Sequence, residues 1–172
     1  MKIKARLIAE QVSSNSIEAK SLFEKSRFGE KSGEKIIYSL PEAFYLLEEN
    51  KMQILDSNDK ELKEREIQSK FIKIDKKFNL RYSVYKDLRK KGYIPKTALK
   101  FGAEFRIYEN SSNFDKSHSK WICFPVLENS KISWQDFSAK NRIAHSIKKK
   151  LLIGIIDEEG SVSYFEVNWK RL

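Results

Sequence analysis

The chain has 172 residues, 40% of them apolar and 12% aromatic, which is enough to bury a core and argues against a disordered polymer. Its formal net charge is +10, unevenly spread: residues 1–78 hold 16 Lys+Arg against 14 Asp+Glu, and residues 79–172 hold 18 against 10. A basic second half suits a polyanion, with nucleic acid ahead of an anionic membrane surface because no strongly basic amphipathic helix is present, and no run approaches the roughly eighteen apolar residues of a helical membrane span.

The opening Met1-Lys2-Ile3-Lys4-Ala5-Arg6 alternates charged and apolar residues. A signal peptide has a continuous apolar stretch there, so a soluble cytoplasmic protein is expected. Residues 3–12 keep a period of two and predict a strand. Ser16 is placed to cap a helix carrying Ile17, Leu22 and Phe23. Residues 35–38 read as a short strand. Ser39 stands two places before Pro41, at the start of a helix with Ala43, Phe44, Leu46 and Leu47 on one side. Residues 52–55 predict another strand, and a charged helix with Leu62, Ile67 and Phe71 follows. These pieces make a small mixed α/β domain over residues 1–74, in which no chemistry is evident.

Residues 74–79 form the expected boundary, and a second domain is expected over residues 79–172. Val84, Tyr85 and Leu88 share one helical face, and Gly92 is placed to end that helix. Strand-like runs cover residues 93–99 and 104–109. A polar loop over residues 110–120 leads to an apolar strand, residues 121–127. Residues 134–147 read as helix. Residues 151–157 are nearly all apolar, the pattern of a central strand. Asp157-Glu158-Glu159-Gly160 marks a turn. The last run sets Ser163, Phe165, Val167 and Trp169 on one face against Val162, Tyr164, Glu166 and Asn168 on the other. The expected fold class is therefore α/β (α+β): a small N-terminal domain, then a nuclease-like domain with a mixed sheet flanked by helices.

Scarce residue types narrow the chemistry. The single Cys123 lies in an apolar strand with no cation beside it in sequence, which predicts a buried, inert thiol. One Cys and two His make a structural zinc site within one chain improbable. His118 lies in a polar interstrand loop, where catalytic groups concentrate, although a solvated surface histidine is the commoner occupant of such a loop. His145 lies inside the helical segment near Ile143, Ala144 and Ile147, and a packed or capping role is expected. Tyr108 closes a strand ten positions before His118; a strand tyrosine is ordinarily a core or rim aromatic. Lys148-Lys149-Lys150 sit between helix and strand, where cations favour a helix C-terminus.

Four blocks carry a resemblance. They are Arg81-Tyr82-Ser83-Val84-Tyr85-Lys86-Asp87-Leu88-Arg89-Lys90-Lys91-Gly92-Tyr93, then Lys96-Thr97-Ala98-Leu99-Lys100-Phe101-Gly102-Ala103-Glu104-Phe105-Arg106-Ile107-Tyr108, then Asp115-Lys116-Ser117-His118-Ser119, and Arg142-Ile143-Ala144-His145-Ser146-Ile147-Lys148-Lys149-Lys150-Leu151-Leu152-Ile153. In that order and spacing they resemble the catalytic domain of archaeal tRNA-splicing endonucleases, over essentially the whole second half. The first half resembles the family's N-terminal domain in size and alternation alone. Two departures stand out. Ala98 occupies a position where the family often has Gly, and Glu109-Asn110 follows the tyrosine where an Arg-Gly-type turn is common.

The resemblance implies an RNA-cleaving enzyme acting on precursor tRNA at a bulge–helix–bulge, with no metal and no cofactor. It implies Tyr108 as base for the 2′-hydroxyl, His118 as acid for the leaving 5′-oxygen, and Lys149 as the cation beside the phosphorane, giving 2′,3′-cyclic phosphate and 5′-hydroxyl ends. Lys148 and Lys150 remain alternatives to Lys149. Histidine titrates near neutrality, which suits proton donation, and an ammonium beside developing charge stabilises the transition state. Tyrosine, with an ordinary pKa of about 10, needs neighbouring cations or a mainly orienting role. The resemblance further implies RNA-binding roles for Arg142 and Trp169, stacking on unpaired bases. It implies a tetramer, either four copies or two copies with two non-catalytic relatives, the second slightly favoured by the tryptophan-bearing C-terminus. The apolar side of the last strand, with Phe165 and Val167, is the expected pairing edge, with core packing as the alternative.

Two rival readings remain. A non-catalytic RNA-binding or scaffold subunit of the same complex is expected to lack part of the triad. A metal-dependent DNA nuclease wants an acid followed by Asp/Glu-x-Lys on a sheet; Glu61-Leu62-Lys63 fits the short pattern but falls in a segment that reads as a charged helix.

Overall fold

The computed structural model describes residues 2–109 and 118–170, which form two compact units, Met1–Tyr82 and Ser83–Leu172. Among the described residues no helix is long and apolar enough to cross a membrane.

In the first unit, β1 (Ile3–Ile8) and β2 (Gln11–Ser14) are antiparallel, with Ile8 opposite Gln11. The single strand expected over residues 3–12 is thus a hairpin. Its two-residue turn holds Ala9 at φ 52° and preserves the alternation of buried positions, so periodicity alone does not reveal it. Helix α1 (Ile17–Ser26) starts at Ser16, whose hydroxyl accepts the Ala19 N–H at 3.2 Å. Strand β3 (Glu30–Ser32), absent from the sequence expectations, is fully exposed, so it carries no apolar signal. Its hairpin partner β4 (Lys35–Tyr38) follows Gly33 at φ 58°. Helix α2 (Leu40–Glu48), strand β5 (Met52–Leu55) and helix α3 (Glu64–Ile74) complete the unit. The sheet order is β3-β4-β2-β1-β5, with β1 and β5 parallel. Phe44 meets Phe78 edge-on at 5.5 Å and Tyr82 at 4.9 Å, the packing aromatic quadrupoles favour. The Glu61-Leu62-Lys63 segment is not helical: Glu61 bridges Leu55, Leu62 is buried and Lys63 is the N-cap of α3.

Helix α4 (Phe78–Lys90) carries Phe78 and Tyr82 in the first unit and Val84, Tyr85 and Leu88 in the second. The second unit continues with β6 (Ile94–Thr97), a short 3-10 turn (Leu99–Phe101), β7 (Phe105–Tyr108), β8 (Trp121–Leu127), α5 (Trp134–Ser146), β9 (Lys150–Ile156) and β10 (Val162–Val167). The strand expected over residues 93–99 stops at Thr97, because the chain turns at Leu99–Phe101 and Gly102 takes a left-handed φ of 74°. The sheet order is β10-β9-β8-β7-β6; β8 and β9 are parallel, joined through α5, and the other pairs are antiparallel.

Alternation divides the buried residues between two faces of this sheet. On one, Val84 of α4 approaches Gly154 so closely that a Cβ there would sit 3.3 Å from a Val84 methyl, and Tyr85 packs on Phe105. On the other, Ala144, Ile143 and Ile147 of α5 cover Ile122, Phe124 and Leu151. Cys123 is buried between strands, and burial pushes its thiol up to about 12, consistent with an inert group.

Candidate active site

Three strand ends meet at one end of the second sheet. The Lys120 N–H donates to the Ile107 carbonyl at 2.9 Å, and the Lys150 N–H donates to the Lys120 carbonyl at 3.1 Å. Ile107 lies opposite Trp121, and Trp121 lies opposite Lys150. Because β7 runs antiparallel to β8 while β9 runs parallel to it, the C-terminal end of β7 joins the N-terminal ends of β8 and β9. Tyr108 is therefore the last residue of β7, His118 lies just before β8, and Lys149 lies just before β9.

Around that end is an open cleft of about 540 Å³ lined by His118, Ser119, Lys120, Ile147, Lys148, Lys149 and Lys150. His118 is exposed and Ser119 is buried. Tyr108 is buried at 9% exposure and is not among the residues lining the cleft; the Arg106 guanidinium lies 6.0 Å from its ring centre. The expected loop over residues 110–120, including Asp115-Lys116-Ser117, falls over residues 110–117 outside the described residues.

The end of α5 sets the lysines. The Lys148 N–H donates to the His145 carbonyl at 3.0 Å and the Lys149 N–H donates to the Ala144 carbonyl at 2.8 Å. With Lys148 at φ 56°, these bonds make a Schellman turn with lysine where glycine is usual. The three consecutive lysines are then inequivalent. Lys148 is the exposed left-handed residue. Lys150 pairs with Glu166 at 2.6 Å. Lys149 is half-buried, its ammonium has no hydrogen-bond or ion-pair partner among the described residues, and burial holds that ammonium below the usual lysine value.

The two residues expected to touch RNA are exposed. Arg142 is on α5, three residues before His145, and Trp169 follows β10 at 52% exposure. Trp169 does not line the cleft; its ring centre lies 4.5 Å from that of His145. His145 is thus an exposed residue whose ring meets an indole at a tilt of 60°. The packed position expected from Ile143, Ala144 and Ile147 goes to Ala144, because the helical period turns His145 outward. Val167 packs against the core while Phe165 stays 56% exposed, so the expected pairing edge keeps one of its two apolar residues.

Sequence reasoning missed Glu166. Its carboxylate accepts from Lys150 Nζ at 2.6 Å, Trp121 Nε1 at 2.7 Å and Asn168 Nδ2 at 3.3 Å. The Lys150 and then the Trp121 hydrogen bonds hold its carboxyl down to about 2. The only signal for it was its place on the polar side of the last strand. Among the described residues no group of three or more His, Cys, Asp or Glu is gathered in a way that could hold a metal ion.

Residues 78–164 match the family model for the tRNA intron endonuclease catalytic C-terminal domain, and residues 3–67 match that for the tRNA intron endonuclease N-terminal domain. The chain is 40% identical over 148 residues to a tRNA-splicing endonuclease of Pyrococcus horikoshii, covering 86% of this chain and 84% of that one. It is 40% identical over 138 residues to a tRNA-splicing endonuclease of Nanoarchaeum equitans, covering 77% and 88% of the two chains. A tRNA-splicing endonuclease of Methanothermobacter thermautotrophicus is 37% identical over 155 residues, covering 89% and 88%. The chain belongs to the tRNA intron endonuclease family.

Proposed function

We propose that this chain is a catalytic endoribonuclease subunit that excises introns from precursor tRNA by cutting at bulge–helix–bulge splice sites. The observation that carries the reading is the backbone ladder from Ile107 through Lys120 to Lys150, at whose end Tyr108, His118 and Lys149 all stand.

In-line attack of a 2′-hydroxyl on the adjacent phosphate needs a proton acceptor, a proton donor and a cation. Tyr108 takes the proton of the 2′-hydroxyl and orients its oxygen for attack. His118, exposed at the cleft, returns a proton to the leaving 5′-oxygen, a role histidine suits near neutral pH. Lys149 faces the phosphorane. Its partial burial costs it solvation in the free protein, and a phosphate in the cleft supplies the missing counter-charge. The products are a 2′,3′-cyclic phosphate and a 5′-hydroxyl. The three side chains together cover the chemistry, so no metal or other cofactor is needed. Arg142 and Trp169, both exposed, hold unpaired bases by stacking.

Two cut sites on one substrate call for two active sites, so the chain acts in a tetramer, and a mixed tetramer with two non-catalytic relatives is favoured over four identical copies. Supporting an interface on β10 are its position at the sheet edge and the exposed Phe165 opposite Ile153. The working compartment is the cytoplasm.

The test is cleavage of a bulge–helix–bulge RNA in EDTA by the wild type, supplied with a partner chain if the chain alone is inactive, and by His118→Ala. The wild type cuts, with cyclic-phosphate ends, and the variant falls by about 10²–10⁴-fold. Equal rates for the two proteins remove His118 from catalysis, and dependence on added metal overturns the mechanism. The non-catalytic subunit reading is the outcome if neither protein cuts under any pairing while RNA binding persists.

A further inference from the structure

The cleft is rimmed by lysines, yet a single phosphate needs one well-placed cation. Two of the rim lysines are held by carboxylates: Lys120 Nζ lies 2.7 Å from Glu109 Oε1, and Lys150 Nζ lies 2.6 Å from Glu166 Oε1. The Glu166 side chain is the more elaborate partner, since its other oxygen accepts the Trp121 indole N–H at 2.7 Å and Asn168 adds a third donor. These contacts follow from register. Trp121 is directly opposite Lys150, and Glu166, opposite Leu152, is the diagonal neighbour of Lys150 on the same face. Successive side chains leave the chain on opposite sides, so Lys149 escapes this arrangement.

We propose that Glu166 is a positioning residue that ties up the Lys150 ammonium at the cleft rim, leaving the scissile phosphate to Lys149, the half-buried one of the two lining lysines, Lys148 and Lys149, that no carboxylate holds among the described residues. This rests on the cleavage reading above. The pair is half-exposed, with side-chain exposures of 45% and 32%, so it adds little to folding. Its carboxyl is held down to about 2, so it stays charged at any pH where the enzyme works.

Freed of its carboxylate, Lys150 presents a second ammonium at the cleft rim. RNA whose phosphate settles there is bound but not aligned for attack. Such non-productive binding lowers kcat and KM by the same factor and leaves kcat/KM unchanged. A merely structural disturbance of Lys149 behaves differently, lowering kcat/KM itself.

The experiment compares wild type, Glu166→Gln and Glu166→Gln/Lys150→Gln, each assembled with whatever partner the wild type needs, on a bulge–helix–bulge RNA in EDTA. The single variant shows kcat and KM both reduced, by about fivefold, the size of one ion contact at a water-exposed site. The double variant returns both to within about twofold of wild type, because the competing ammonium is gone. Unchanged constants in the single variant overturn the proposal, as does a fall in kcat/KM or a double variant no better than the single one. If the wild type itself fails to cut, the cleavage reading has failed instead.

Discussion

Lys148 gives a prediction whose sign runs against ordinary helix chemistry. It occupies a left-handed backbone, φ 56°, at the turn that ends α5. A residue with a Cβ pays roughly 1–2 kcal/mol in that conformation. Glycine escapes this cost but loses about 0.4–1 kcal/mol through its greater freedom in the unfolded chain. Lys148→Gly and Lys148→Ala both remove the charge, so comparing them isolates the backbone effect. The difference leaves the glycine variant more stable by about 0.5–1 kcal/mol. For a domain of this size that is an upward shift in Tm of about 3–6 °C. All three tryptophans, Trp121, Trp134 and Trp169, lie in the second unit, so their fluorescence follows its unfolding without a signal from the first. Ser138, exposed within α5, is the control: there alanine is more stable than glycine by about 1 kcal/mol. An alanine variant at position 148 as stable as the glycine variant refutes the strained-turn account of how Lys149 is positioned.

Two further outcomes are expected. Lys149→Met reduces cleavage by about 10²–10³-fold while leaving the Tm at or above the wild-type value, because burial disfavours the charged amine that is removed; a folded variant cutting at the wild-type rate assigns the role to another lysine. Phe165→Glu places a charge on the exposed apolar position of the edge strand β10 and reduces the assembled particle to smaller species in light scattering after size exclusion, whereas an unchanged mass removes β10 from the interface.

Most helices and buried strands were legible because their signals are local. Ser16 and Ser39 mark helix starts, and the apolar run at residues 151–157 predicts the central strand found at Lys150–Ile156. What escaped depends on features that periodicity does not encode. The turn at Ala9 preserves the alternation on either side of it. Strand β3 has no buried residue, and only Gly33 hinted at its hairpin. The Glu166 contacts join residues 16 and 45 positions apart, so they exist only once the register of three strands is fixed. The same is true of the lysine choice. Three consecutive lysines are indistinguishable in sequence, and become different when one takes a left-handed turn, one meets a carboxylate and one is half-buried without a partner among the described residues.

The topology also explains why the candidate groups can lie so far apart in the chain. A parallel neighbour pair must return its chain to the same end of the sheet, and here α5 does so between β8 and β9. That return brings the residues just before both strands, His118 and Lys149, to one end of the sheet, whatever the length of the crossover. The antiparallel β7 delivers its last residue, Tyr108, to the same end from the opposite direction. Arg142 lies on the crossover helix and Trp169 follows the final strand, so all five candidate residues fall within Ser83–Leu172, the half of the chain that holds most of the excess positive charge. A site built from strand ends inherits the stiffness of the backbone ladder, which leaves the side-chain clamps, Glu166 on Lys150 and Glu109 on Lys120, to decide which cation a phosphate meets.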